Sequence, residues 1–360
     1  MANIFQIGSG MVGSAMALDL ANNHNVFLSD NNKKSLTKVQ SQNHSIKIQQ
    51  IDVTNKNALS EWIQPADVVL LAVPGFLGYE TLKTIIEAGK DVVDISFAPE
   101  NVLDLSPLAE KNNVISIVDA GVAPGIPNYL LGYWNSRMNI ESFEYYVGGL
   151  PKNPIPPFYY KAPFSPIDVI EEYTRPARMM INGQLKTKPA LSEIETILFE
   201  EVGKLEAFNT DGLRSILSTM NHIPNMKEKT LRYPRHAQLM ENYRNKGLFD
   251  KDNIQETSRQ LFEDWKLEKN EAEFTIMDII IEGTKEKIEY HLYDEFDTTS
   301  QISSMARTTG YTATATVNLI LERLWIDSGV FPPEIIGEKE QCMHHILNYL
   351  EDRNITITKK

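Results

Sequence analysis

Six residues near the start of the chain constrain its fold more than any other stretch: Gly8-Ser9-Gly10-Met11-Val12-Gly13. A short apolar run of strand type, residues 4–7, comes before them, and a helix-forming stretch, residues 14–21, comes after. Residues 26–29 read as a second strand that stops at Asp30. Strand, glycine-rich turn, helix, strand and acid, in that order, form the dinucleotide-binding fingerprint. Gly8 allows the tight turn, Gly10 lets the backbone approach a pyrophosphate, and Gly13 lets helix and strand pack closely. The helix N-terminus offers free N–H groups and partial positive charge to the phosphates. Asp30 accepts hydrogen bonds from the ribose hydroxyls and repels a 2′-phosphate. Asn31 and Asn32 bring no positive charge to receive one, although Lys33 and Lys34 follow. The expected cofactor is NAD.

The first third of the chain continues to alternate. Strands are expected at residues 46–51, 68–73, 91–96 and 114–119, and helices at 58–63, 79–88 and 103–111. Apolar strands separated by helices make a doubly wound parallel sheet covered on both faces. Ligands of such sheets bind beyond the strands' C-terminal ends. Besides the glycine turn and Asp30, those ends carry Asp52, Val73-Pro74, Ser96 and Asp119-Ala120.

The pattern changes at Ala123-Pro124-Gly125-Ile126-Pro127, which reads as a domain border before a helix at 128–134. A strand at 143–147 and a proline-rich crossover over 151–166 follow, then a strand at 177–181 and a hairpin pair at 273–281 and 287–293. A helical stretch over 303–323, with small packing residues at Ala306, Ala313 and Ala315, is expected to return to the first domain. The expected fold is therefore α/β: an N-terminal Rossmann domain over 1–125, rejoined by 303–360, and a second α+β domain over 126–302 for substrate binding and dimerisation.

A length of 360 residues accommodates two domains, and 42% hydrophobic with 23% charged residues is ordinary for a soluble globular protein. A net charge of −13 argues against nucleic acid as a partner. Cys342 is the single cysteine, so no internal disulfide forms, and Cys342-Met343-His344-His345 lacks metal-ligand spacing. No signal peptide is read at the N-terminus, and no apolar run reaches the ~18 residues of a membrane span, so a cytoplasmic location is expected.

Several polar segments outside the fingerprint are candidates for chemistry. Pro156-Pro157-Phe158-Tyr159-Tyr160-Lys161 holds Tyr160 and Lys161 on a stiff loop, either as a plain crossover or as proton-handling groups in a pocket wall. Residues 171–178 carry adjacent opposite charges and suit surface ion pairs. Asn209-Thr210-Asp211-Gly212-Leu213-Arg214 is a polar turn, and an arginine there suits a carboxylate. Leu231-Arg232-Tyr233-Pro234-Arg235-His236 brings two more arginines and a histidine together.

Pro74-Gly75-Phe76-Leu77-Gly78, Val93-Asp94-Ile95-Ser96-Phe97, Asp119-Ala120-Gly121-Val122-Ala123-Pro124-Gly125 and Tyr146-Val147-Gly148-Gly149-Leu150-Pro151 resemble the saccharopine dehydrogenase family. Glu171-Glu172-Tyr173-Thr174-Arg175-Pro176-Ala177-Arg178, Asp211-Gly212-Leu213-Arg214-Ser215 and Leu231-Arg232-Tyr233-Pro234 look most like its L-lysine 6-dehydrogenase branch. Arg235 departs from that pattern, which has glycine after the proline. The resemblance implies NAD-dependent oxidation of the ε-amine of L-lysine to allysine, with ammonia released, by a homodimer. Relatives that act on saccharopine or other imine-forming substrates are the alternative, and an idle NAD-binding sensor is a third reading. A lysine ammonium, with a pKa of about 10.4, gives up no hydride until a base removes a proton. Asp119, Tyr160 and Lys161 are the candidates for that task. Arg214 and Arg232 would hold the α-carboxylate, and Asn209 or Asp211 the α-amine.

Overall fold

The computed structural model describes residues 1–162, 166–268 and 271–360. Its strands, in chain order, are β1 (Asn3–Ile7), β2 (Asn25–Asp30), β3 (Lys47–Gln50), β4 (Val68–Leu71), β5 (Val92–Asp94), β6 (Ile115–Ile117), β7 (Ile140–Pro151), β8 (Ala177–Ile181), β9 (Gln184–Lys188), β10 (Glu195–Phe199), β11 (Gly203–Asn209), β12 (Asn225–Arg232), β13 (Glu273–Gly283), β14 (Lys287–Glu295), β15 (Gly329–Phe331) and β16 (Ile357–Lys359). The chain divides into two compact units. One comprises Met1–Ser136 and Ala306–Asn354, the other Arg137–Met305 and Ile355–Lys360.

The first unit is built on a seven-stranded sheet in the order β15-β6-β5-β4-β1-β2-β3, and every pairing in it is parallel. Strands β1 to β6 give the doubly wound order 3-2-1-4-5-6, whose reversal between β1 and β4 is the ligand-binding crevice of such sheets. The run Val68-Val69-Leu70-Leu71 is at most 1% exposed, as a strand covered on both faces must be. Phe5 stacks on Phe27 at 4.4 Å and meets Trp62 edge-on at 4.8 Å, anchoring one flank of the core.

The second unit holds a mixed nine-stranded sheet. Its main path is β10-β11-β12-β7-β13-β14-β16, with the β8–β9 hairpin attached to β12. β12 and β7 run parallel, and the other pairings on this path are antiparallel. Its core gathers Trp265, Tyr173, Phe208, Phe274 and Leu231, each at most 1% exposed. The β13–β14 hairpin forms where a hairpin pair was expected, at 273–281 and 287–293.

Three expectations need correction. The helix Ile126–Asn135 lies in the first unit, not the second, because Gly132 and Gly337 bring it onto the helix Pro333–Gly337. A Cβ at Gly132 would sit 1.8 Å from the Glu334 carbonyl oxygen, so only glycine permits that approach. Residues 355–360 do not stay with the first unit: β16 pairs with β14. The strand expected at 143–147 is longer: Gly148-Gly149-Leu150-Pro151 is the end of the twelve-residue β7, in register with β13. Gly148 sits 2.8 Å, measured from an added Cβ, from the Leu231 carbonyl oxygen, a close backbone approach that explains a glycine inside a strand. Among the described residues, no helix is long and apolar enough to cross a membrane.

Candidate functional site

In the first unit the glycine turn links β1 to the helix Met11–Leu20. Gly8 has φ +105°, and a Cβ there would meet the Ala72 carbonyl oxygen at 2.1 Å. A Cβ on Gly13 would meet the Gly8 carbonyl oxygen at 2.3 Å. Around Gly10, by contrast, nothing lies within 4 Å of an added Cβ, and this residue caps the helix with no side-chain partner. Met11 beside it is exposed, while Val12 is half-buried. That combination of two glycines forced by packing and one facing open space fits a dinucleotide's pyrophosphate at the helix N-terminus. Gln6, which the sequence reading passed over, is fully buried and donates from Nε2 to the Gly8 and Gly13 carbonyls at 2.9 and 2.6 Å, bracing the turn from below.

Asp30 closes β2 with its carboxylate pinned. Oδ2 accepts from the Ser9 N–H at 2.7 Å and the Ser9 hydroxyl at 2.9 Å, and Oδ1 accepts from the Asn32 N–H at 2.8 Å. These three bonds leave one acceptor position of the carboxylate, on Oδ1, for a ribose hydroxyl. Asp52, beyond β3, is fully exposed and takes the Thr54 N–H and hydroxyl, which lower its pKa. Val73 and Pro74 lead into the helix Gly75–Glu87, which begins four residues earlier than the sequence pattern suggested. Ser96 has a buried hydroxyl that faces Gly78, where a Cβ would come within 2.3 Å of it. Ala120, fully buried, donates its N–H to the Asp94 carbonyl at 3.3 Å. Asp119 precedes it at φ +54° and is 5% exposed.

In the second unit the polar residues form two adjoining clusters. The first surrounds Arg232, which is 2% exposed. Its Nη2 bonds to Glu172, its Nε donates to the Tyr173 hydroxyl at 3.2 Å and its Nη1 to the Leu231 carbonyl at 2.9 Å. The Tyr160 ring lies over the guanidinium at 4.3 Å. Tyr173 bonds His236 Nε2 at 2.9 Å, and His236 Nδ1 bonds the Phe158 carbonyl at 2.6 Å. The Tyr160 hydroxyl is buried without a partner among the described residues, and burial pushes its pKa well above the ordinary value, so the phenol stays protonated. Lys161 donates to the Lys266 carbonyl at 2.9 Å.

The second cluster is the 209–214 turn. Asp211 takes a two-pronged bond from Arg178, Nε to Oδ1 at 2.9 Å and Nη2 to Oδ2 at 2.8 Å. Asn209 donates to Ser192 and Glu193, both at 3.0 Å, and its buried Oδ1 has no partner among the described residues. Arg214 is half-buried at φ +48°. The structure thus brings Asn209, Asp211 and Arg214 together on one turn, while Arg232 belongs to the neighbouring ion pair.

Arg235, the departure from the expected motif, has φ +84° and caps the helix His236–Asn245. That conformation is why glycine suits this position.

Two family models match nearly end to end: the saccharopine dehydrogenase NADP binding domain over residues 4–117 and the saccharopine dehydrogenase C-terminal domain over residues 121–355. Among curated proteins, the chain is 27% identical over 142 residues to an alpha-aminoadipic semialdehyde synthase of Arabidopsis thaliana, covering 38% of this chain and 13% of that protein. It is 25% identical over 197 residues to the saccharopine dehydrogenase [NADP(+), L-glutamate-forming] of Saccharomyces cerevisiae, covering 51% of this chain and 43% of that one. The matched stretches thus span less than half of either relative. The solved apo structure of the L-Glu-forming saccharopine dehydrogenase from Saccharomyces cerevisiae superposes with a TM-score of 0.81 at 18% identity, over 100% of this chain and 99% of that one, which establishes the shared fold. With both domain models matched in order on a doubly wound sheet and a mixed-sheet second unit, the chain belongs to the saccharopine dehydrogenase family.

Proposed function

We propose that this family member is an NAD-dependent dehydrogenase that oxidises the Cε–N bond of L-lysine, giving allysine, which cyclises to piperideine-6-carboxylate. The overall change is R–CH2–NH3⁺ + NAD⁺ + H2O → R–CHO + NH4⁺ + NADH + H⁺. The observation that carries the lysine reading is what has become of the arginines. Of Arg175, Arg178, Arg214, Arg232 and Arg235, at least three are already matched to carboxylates of the fold: Arg175 to Glu171, Arg178 to Asp211 and Arg232 to Glu172. A substrate with one carboxylate needs few further cations, whereas saccharopine carries three.

When bound, the nicotinamide supplies the hydride acceptor. The chain's own residues bind, orient and move protons. The N-terminus of the helix Met11–Leu20 takes the pyrophosphate, and Asp30 takes the ribose hydroxyls. Arg214 binds the α-carboxylate, Asp211 or Asn209 the α-amine, and Asp119 is the candidate to accept the amine's proton before hydride leaves. The pinned Asp30 supports NAD over NADP, because three hydrogen bonds keep its charge from swinging away from a 2′-phosphate. A cytoplasmic homodimer belongs to the same proposal, tested by sedimentation and fractionation.

The second reading is saccharopine oxidation, favoured by the activity for which the yeast relative is named. There, hydride removal and water addition release glutamate rather than ammonia. Incubating the protein with either cofactor and L-lysine or saccharopine separates the two. Reduced NAD with equimolar ammonia from lysine supports the proposal. Reduced cofactor and glutamate from saccharopine alone would replace it.

A further inference from the structure

Beneath the 209–214 turn lies a carboxyl group that the proposed chemistry does not use. Glu228 on β12 is 4% exposed. Its Oε2 accepts from the Thr210 hydroxyl at 2.6 Å and from the Gly212 N–H at 3.1 Å. Its Oε1 lies 3.5 Å from the Thr230 hydroxyl, which is in turn 2.8 Å from that of Thr210. A Cβ on Gly212 would stand 2.7 Å from the Glu228 carboxyl carbon, so the turn rests directly on this group. Tyr145 of β7 donates to the Gly212 carbonyl at 2.8 Å, and Arg178 of β8 holds Asp211.

We infer that Glu228 is a positioning residue for substrate binding: through Thr210 and Gly212 it fixes the turn that presents Asn209, Asp211 and Arg214. The inference rests on the reading that this turn meets the substrate. The charged groups around Glu228 are Glu172 from the helix Pro166–Thr174, Asp211 from the turn, Arg178 of β8 and Arg232 on its own strand. Both acids oppose its ionisation, and the two arginines are each bound to one of those acids. β7 places Tyr145 opposite it. Burial, with Glu172 and Asp211 adding to it, pushes its pKa up to about 8. At neutral pH the group is therefore an acid with a proton to give. An Oε1–H directed at Thr230 closes a ring through Thr210 back to Oε2, in which each hydroxyl donates once and accepts once.

Glutamine reproduces that ring without titrating, and alanine abolishes it. Glu228→Ala should raise the KM for the amino-acid substrate about 10-fold, the equivalent of one or two lost buried hydrogen bonds, with kcat changed less and cofactor affinity unchanged. Glu228→Gln should restore KM near pH 7. If alanine prevents folding, Thr210→Val, which removes one hydroxyl of the ring, should raise KM in the same sense. Two readouts do not need turnover. Hydrogen–deuterium exchange over 209–214 should quicken in the alanine variant and not in the glutamine variant. The thermal stability of Glu228→Gln, measured against wild type, should gain steadily between pH 4.5 and 8, because only folded wild type must then hold a proton that its unfolded chain has released. Unchanged exchange in Glu228→Ala, or a glutamine variant that tracks wild type across that range, would overturn the inference. Altered exchange with an unmoved substrate KM would keep the clamp but show that the turn is not the substrate's.

Discussion

At the scale of single residues, the acid at the end of β2 and the arginine before the helix His236–Asn245 show how local chemistry sorts into binding and strain. Asp30 accepts from Ser9 and Asn32 and keeps one acceptor position on Oδ1 for the ribose, which its removal takes away. Asp30→Ala is expected to weaken NAD binding about 10-fold, as loss of charged hydrogen bonds does. It should also narrow the gap between NAD and NADP, and fluorescence titration of both cofactors measures this. An unchanged ratio would mean that the acid does not read the ribose. Arg235 at φ +84° carries strain that glycine lacks, and its side chain is exposed. Arg235→Gly should therefore raise stability by roughly 1 kcal/mol in denaturant titration, since relief of a positive φ outweighs the added chain entropy. A loss of stability would show that the side chain earns its place by contacts. The departure from the family pattern was legible in the sequence. Its cause, a left-handed backbone, was not, because no spacing rule reports φ.

At the scale of elements, the turn between β1 and the first helix contains glycines with different reasons to be there. A Cβ on Gly13 collides with backbone at 2.3 Å, whereas one on Gly10 meets nothing. Gly13→Ala should destabilise the first unit by a few kcal/mol, in the range typical of overpacking. Gly10→Ala should melt like wild type yet bind cofactor more weakly, because the methyl occupies the space left for the phosphates. Paired melting curves and cofactor titrations check both, and equal melting of the two variants would refute the distinction. The first unit was legible because apolar strands of a parallel sheet alternate with helices, a pattern that needs no long-range knowledge. β7 was harder to see. Gly148-Gly149 and Pro151 imitate a loop, and only the pairing with β13 and the close Leu231 carbonyl make them strand residues. The Glu172–Arg232 pair was also hidden, since its members lie 60 positions apart and spacing cannot join them.

At the scale of the whole molecule, the chain crosses between its units three times, and the two buried titratable groups that should dominate its pH response lie in one of them. His236 is fully buried. Arg232 Nε donates to the Tyr173 oxygen, the Tyr173 hydroxyl can then donate to His236 Nε2, and Nδ1–H donates to the Phe158 carbonyl. A proton on Nε2 would oppose that sequence of donors and set a cation beside Arg232. Burial first, and Arg232 second, lower the His236 pKa from 6.5 to about 3. The folded state therefore holds fewer protons than the unfolded one between pH 3 and 6.5, and the stability His236 lends above pH 6.5 is lost as pH falls through that window. Glu228 has the opposite sign: raised from 4.5 to about 8, it lends stability that is lost as pH rises between those values. The two slopes, each at most about 1.4 kcal/mol per pH unit, cancel between pH 4.5 and 6.5. From these two groups alone, stability should be level there, fall from pH 6.5 to 8, and fall again below pH 4.5. Other groups titrate in wild type and variants alike, so differences between them isolate each contribution. In denaturant titrations from pH 3 to 9, His236→Asn should lack the acid-side loss and Glu228→Gln the alkaline-side loss, each leaving the other limb in place. Exchange measurements should locate both limbs in Arg137–Met305. Variants whose profiles run parallel to wild type over both windows would show that neither group is buried in the protonation state assigned to it.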